Sequence, residues 1–437
     1  MRNFLSLFSP LPNLLLSTAW PSGSLRPRPR ALQFGIKHTL WRLGLSAALS
    51  TALCANANAG AREQAARMHE RLVGVPASET VLNTMQSYIE AGDARSAAYL
   101  AMENPAFYNV TVKTWVAPWT NEAFDKFEPL NDYMATVIGM VRDDVDFREV
   151  LSGDILYVGS PTLGLPPYST SNNDHYLAME DAVTDLHAHL VSTTQSATTG
   201  LPAEATAGVM TTRAAAKAFF KDGTNRAMFR FTLMNHMCTD LEGVADITRA
   251  PDRIRQDVSR SPGGDSRLFH NNCVSCHSGM DPLAQAFAYY NYQYDVDNDP
   301  DGERGALQYN AQGQTDPVTG TRVQEKYRIN SNNFIHGFVT LDDGWDNYWR
   351  EGPNFNLGWS NALPGSGNGA KSMGQELANS QQFAKCQVTK VFEEVCLRKP
   401  QDSDDRTQIS AMQSQFAASG YQMKSVFADA ANYCKGE

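Results

Sequence analysis

The chain has 437 residues, with 37 Lys and Arg against 47 Asp and Glu, for a formal net charge of −10. That balance argues against nucleic acid as a partner, since binding a phosphate backbone needs clustered cations. Hydrophobic residues make up 42% and aromatics 10%, enough for a substantial core on a length typical of two or three domains.

Residues 1–59 read as a leader and signal peptide. Arg30, Lys37 and Arg42 precede an apolar run from Leu43 to Leu53, and Ala55-Asn56-Ala57-Asn58-Ala59 offers cleavage near Ala57 or Ala59. Residues 1–36 are long for the basic region of a signal, which points to a mis-assigned start or a poorly structured leader. Leu53 stands where a lipoprotein signal has a small residue before its cysteine, so lipid anchoring at Cys54 has weak support. No other segment approaches the roughly 18 apolar residues that span a bilayer. The expected product is periplasmic or secreted, with no transmembrane segment.

Residues 60–200 read as a helical N-terminal domain. Leu82, Met85 and Ile89 follow helical spacing up to Gly92, Ala94 to Met102 gives a second helix, and Leu130 to Arg142 a third. Gly153 to Asn173 is rich in Gly, Pro, Ser and Asn and reads as a long loop. His187 and His189 are two apart on a possible helix from Met179; that spacing shares no helix face, so solvent-exposed side chains are expected rather than a metal site. Residues 201–262 form a helical connecting segment, with Ala205 to Lys221 and Asn225 to Cys238 as a helical pair around Asp222-Gly223.

Gly263-Gly264 leads into a helix near Asn271 that carries Cys273-Val274-Ser275-Cys276-His277. Cysteines three apart on a helix's first turn face one side, so both sulfurs can form thioethers to one porphyrin while the next histidine turns to its iron. This is the attachment signature of haem c, with Cys273 and Cys276 as anchors and His277 as proximal ligand. A dithiol couple or half a zinc site competes, but the other cysteines are scattered singly and no βαβ pattern surrounds the motif. One covalent haem is expected. Asp281-Pro282 breaks the pattern, and Leu283 to Tyr294 reads as an aromatic-rich helix.

Asp297-Asn298-Asp299-Pro300-Asp301-Gly302 reproduces the opening of a calcium loop, with Asp297, Asp299 and Asp301 as possible ligands. Gln308 stands where an EF-hand has glutamate and no helix pair frames the loop, so an acidic surface turn is the stronger reading. For the distal haem position, Met373 follows a Gly-rich loop and precedes a helix, as small cytochromes c present their methionine; His336, among aromatics, is the alternative. Met280 lies too close to His277 to reach the opposite face. Trp345, Trp349 and Trp359 fit porphyrin shielding and ordinary core packing equally well.

Three apolar stripes close the chain: Val388, Val391, Phe392, Val395 and Cys396; Ile409, Met412 and Phe416; Met423, Val426, Phe427, Ala430 and Cys434. Gly420 separates the last two of these three packed helices. Four cysteines remain beyond the signal and the haem motif, which allows three connectivities in an oxidising compartment. Cys396 with Cys434 and Cys238 with Cys386 is preferred, because the first pair would join the ends of two consecutive helices.

Cys273 to Tyr290 resembles the haem segment of planctomycete-type secreted cytochrome c families, multidomain proteins in which CxxCH is followed by Asp-Pro-Leu and an aromatic-rich helix. Phe383 to Tyr433 is similar to their C-terminal domain, through Phe383, Cys386, Arg398, Asp404, Phe416 and Gly420-Tyr421. Gly223-Thr224-Asn225-Arg226 through Cys238 resembles the segment before their haem, and Arg71 to Pro76 their opening motif. Ala284 stands where those families have glycine, and the acidic insertion at 295–302 is this chain's own. The resemblance implies a secreted, mostly helical cytochrome and names no substrate.

The expected fold is mainly α: a helical N-terminal domain followed by a cytochrome c-like haem module over residues 263–437 with a C-terminal three-helix region. The expected function is electron transfer by a periplasmic or secreted monohaem cytochrome working with redox partner proteins. The alternative is a haem oxidoreductase, or the haem subunit of a larger enzyme, with an open distal site.

Overall fold

Side-chain caps and tertiary burial set most helix boundaries in the computed structural model, which describes residues 59–257 and 265–436. The signal segment, Cys54 and Gly263-Gly264 lie outside the described residues. The described chain is mainly helical. Helices α1 (Ala61–Val73), α2 (Glu79–Glu90) and α3 (Ala94–Met102) pack on one another; the Ser78 and Asp93 side chains accept amide protons at the starts of α2 and α3. Helix α4 (Asp132–Arg142) is buried from Asp132 to Val141 and lies at the centre. The Asp132 carboxylate accepts from Arg213 N and Ala214 N, capping α6 (Arg213–Phe220) from a distant part of the chain; α5 (Asp174–Asp181) lies between them in sequence.

The first helices pack on the last. Helix α11 (Gln381–Cys396), α12 (Ser403–Ala418) and α13 (Met423–Cys434) form the expected three-helix group, and Gly420 takes a left-handed φ of 76° at the turn before α13. Helix α13 also lies against α1 and α3, where Arg95 pairs with Asp429 and Arg71 donates to Cys434 O at 2.8 Å. The described residues form one compact unit in which the first and last helices touch. Both preferred cysteine pairs are present, Cys238–Cys386 and Cys396–Cys434, with Cα separations of 5.3 and 5.5 Å. The second joins α11 to α13 across α12, so the helices it joins are not consecutive.

Three expectations change. Within 153–173, Leu156–Gly159 forms strand β1, antiparallel to β2 (Leu190–Thr193), because Leu156 and Tyr157 are both buried, Tyr157 against α4; a Cβ on Gly139 would fall 2.1 Å from the Tyr157 ring. Residues 205–212 precede the helix, which starts only after the Thr212 cap. Helix α9 (Val274–Ala284) runs through Pro282, and Tyr290–Gln293 forms strand β3 against β4 (Ala306–Tyr309). The alternate burial of Tyr290 and Tyr292 drives the chain into a half-buried strand despite its helical spacing.

His187 is half-buried and stacks on Tyr108 with ring centroids 4.7 Å apart, so it is less exposed than expected. Trp345, Trp349 and Trp359 are all buried in the main core.

Candidate functional site

Helix α8 (Ser266–Asn272) ends at Cys273, whose amide donates to Phe269 O at 2.8 Å, and α9 starts at the next residue. Cys276 and His277 thus lie on the first turn of α9, as the motif requires. Phe269 and Ile254 form a small apolar cluster against which Cys273, Val274 and Phe334 pack. Residues 246–257 run alongside: Asp246 N donates to Ser275 O at 2.7 Å and Ser278 Oγ donates to Asp246 O at 2.8 Å.

His277 and Asp281 are one helical turn apart and share a face. Nδ1 of His277 lies 3.0 and 3.1 Å from the two carboxylate oxygens, so the ring donates there and Nε2 is the ring nitrogen left for another partner. Helix α7 (Asn225–His236) packs on α9 and brings Arg226 to the other side of Asp281, with Nε and Nη2 donating at 2.8 and 3.0 Å. Burial by itself would raise the Asp281 carboxyl, but Arg226 and His277 hold it well below the usual carboxylate range. Arg226 also faces Asp257 at 3.7 Å; Asp257 is bound by Arg255, whose guanidinium donates to Asn225 Oδ1 at 3.0 Å and Tyr327 O at 2.8 Å. Burial pushes the Cys276 thiol up from its ordinary value.

Cys273 and Cys276 are free thiols, partly exposed, while the other four described cysteines are paired. Among the described residues no three Cys, His, Asp or Glu converge as a metal-binding group, so the zinc alternative finds no ligand set. Asp297, Asp299 and Asp301 do not gather either. Asp299 accepts from Glu303 N and Arg304 N at 2.9 and 2.6 Å, and the loop closes the β3–β4 hairpin, with Gln308 paired to Asn291 across it. An acidic turn results, because strands, rather than helices, frame the loop.

Met373 is fully buried on α10 (Gly369–Ala378) within the main core, in a different cluster from Cys273. His336 lies nearer the motif in chain connectivity. Residues 334–338 pair with 254–256 through Phe334 N to Gln256 O at 3.3 Å and Gln256 N to Phe338 O at 3.1 Å, and the exposed His336 ring is 6.3 Å from Phe334. The structure brings the His336 segment, and not Met373, to the cluster that holds Cys273.

Sequence reasoning missed the ion-pair chain behind His277. The spacing of His277 and Asp281 was a local signal for its first link; Arg226, Asp257 and Arg255 join only through tertiary packing.

The opposite face of α9 is held by Trp349. A Cβ on Gly279 would fall 1.9 Å from Trp349 Nε1, and that indole is fully buried. Gly279→Ala is expected to cost about 1–3 kcal/mol, the usual cost of overpacking, measured as a lowered urea midpoint; an unchanged midpoint would refute the tight fit.

No protein-family model matches this chain, and no curated protein or solved structure matches it.

Proposed function

We propose that the chain is an exported monohaem c-type cytochrome of the planctomycete type that carries electrons between redox partner proteins. The observation that carries this reading is the pairing of two free thiols at the start of α9 with a histidine whose Nδ1 is already occupied by Asp281. Those residues fit haem c: Cys273 and Cys276 would anchor it through thioethers and His277 Nε2 would bind its iron. A haem bound there supplies a one-electron iron couple. Asp281 fixes the ring tautomer, Arg226 holds Asp281, and Ile254, Phe269 and Phe334 supply apolar surface next to the anchors. Two disulfides suit an oxidising compartment and so support export. No helix among the described residues is long and apolar enough to cross a membrane.

A pyridine haemochrome assay on the exported full-length protein tests the reading. One covalent haem per chain is expected, lost in Cys273→Ala/Cys276→Ala; a wild-type protein without covalent haem would end the proposal. The burial of Met373 in the main core leaves His336, exposed on its loop, as the distal candidate; a His336 that does not bind the iron would give the second reading, a haem oxidoreductase subunit with an open distal position. Rapid carbon monoxide binding to the reduced protein would select it, and refusal would select the carrier.

A further inference from the structure

We infer that the buried ion-pair chain behind His277 sets the donor strength of its imidazole, with Asp281 strengthening it and Arg226 moderating it. The inference rests on the haem reading above.

The geometry distinguishes this arrangement from a neutral hydrogen bond. A backbone carbonyl can fix a histidine tautomer, but a carboxylate also draws the Nδ1 proton and makes Nε2 a stronger donor. Here the acceptor is a carboxylate only 1% exposed, engaged through both oxygens. Arg226 grips the same oxygens at 2.8 and 3.0 Å and draws their charge back, so the carboxylate acts on His277 with partial strength. Asp257 faces Arg226 in turn and is itself held by Arg255, and among the described residues these four charged groups form the chain of ion pairs that ends at the ring. Buried ion pairs are poor value for stability alone, since apolar side chains of similar volume often do as well. An electronic role accounts for charges where packing does not require them. Asp281 is on this account a positioning residue that favours the oxidised state of a metal bound at Nε2 and so lowers its potential.

The test is the midpoint potential of the haem-loaded full chain, measured by spectroelectrochemistry for wild type, Asp281→Asn and Arg226→Gln. Asp281→Asn is expected to move the potential up and Arg226→Gln down, each by about tenfold in the oxidised-to-reduced equilibrium, about 59 mV for one electron. Structural loosening would move both the same way, and that result, or two unmoved potentials, overturns the inference. If either variant fails to load, NMR of the wild type decides: the His277 Nδ1 proton should exchange slowly, and fast exchange overturns the inference with no variant needed. Wild type without covalent haem defeats the proposed function itself, whereas loaded protein with unmoved potentials defeats only this inference.

Discussion

Serine in place of both Cys238 and Cys386 is expected to lower the unfolding free energy by about 5 kcal/mol. The bond closes a loop of 148 residues, and the entropy that such a loop removes from the unfolded chain grows with the logarithm of its length. The same argument gives about 4 kcal/mol for Cys396–Cys434, which spans 38 residues. The longer bridge also matters for position. Cys238 follows the end of α7, the helix that carries Asn225 and Arg226, and Cys386 lies on α11. Losing it removes one tie between α7 and α11, where Gln382, Gln387 and Lys390 also donate to Met237 O, His236 O and Asn235 O, and loosens the support behind His277. Urea unfolding followed by circular dichroism measures the effect. A loss below about 2 kcal/mol, under the usual range for a native disulfide, would show that the remaining contacts hold α7 in place.

Arg255→Leu is expected to cost about 3–5 kcal/mol, the usual penalty for leaving a buried charge without its partner. The Arg255 side chain is 3% exposed and that of Asp257 8%. Among the described residues Asp257 would keep only Arg226 at 3.7 Å, and Asn225 Oδ1 and Tyr327 O would each lose a donor. Asn225 Nδ2 donates to Ala284 O at 2.9 Å at the end of α9, so the damage reaches the helix that carries His277. The variant should unfold at lower urea with an unchanged slope. An unmoved midpoint would mean that Asp257 is solvated in the folded protein and that the chain of ion pairs ends at Arg226.

The parts of the fold legible in sequence are those governed by local spacing. Ala94 to Met102 matches α3 residue for residue, and the stripes ending at Cys396, Phe416 and Cys434 fall on α11, α12 and α13. An amphipathic helix announces its buried face through its own period, and a cap such as Ser78 or Asp93 announces its start. The strands were not legible. Leu156 and Tyr157 stand among loop-forming residues, and Tyr290 and Tyr292 fit a helix as well as a strand until a partner chain segment is known.

The candidate site divides along the same line. By itself the sequence determined the pairing of Cys273, Cys276 and His277, because their chemistry depends on positions within one helical turn. The turn from His277 to Asp281 was equally local. Only the tertiary structure decided what stands behind them: Arg226 lies 55 positions from Asp281, and Arg255 reaches Tyr327 across 72. It also decided that the Met373 side chain belongs to the main core while residues 334–338 run beside 254–256. Local periodicity reports which face of an element is apolar. It carries no information about which buried charge will meet which, since that depends on how distant elements pack.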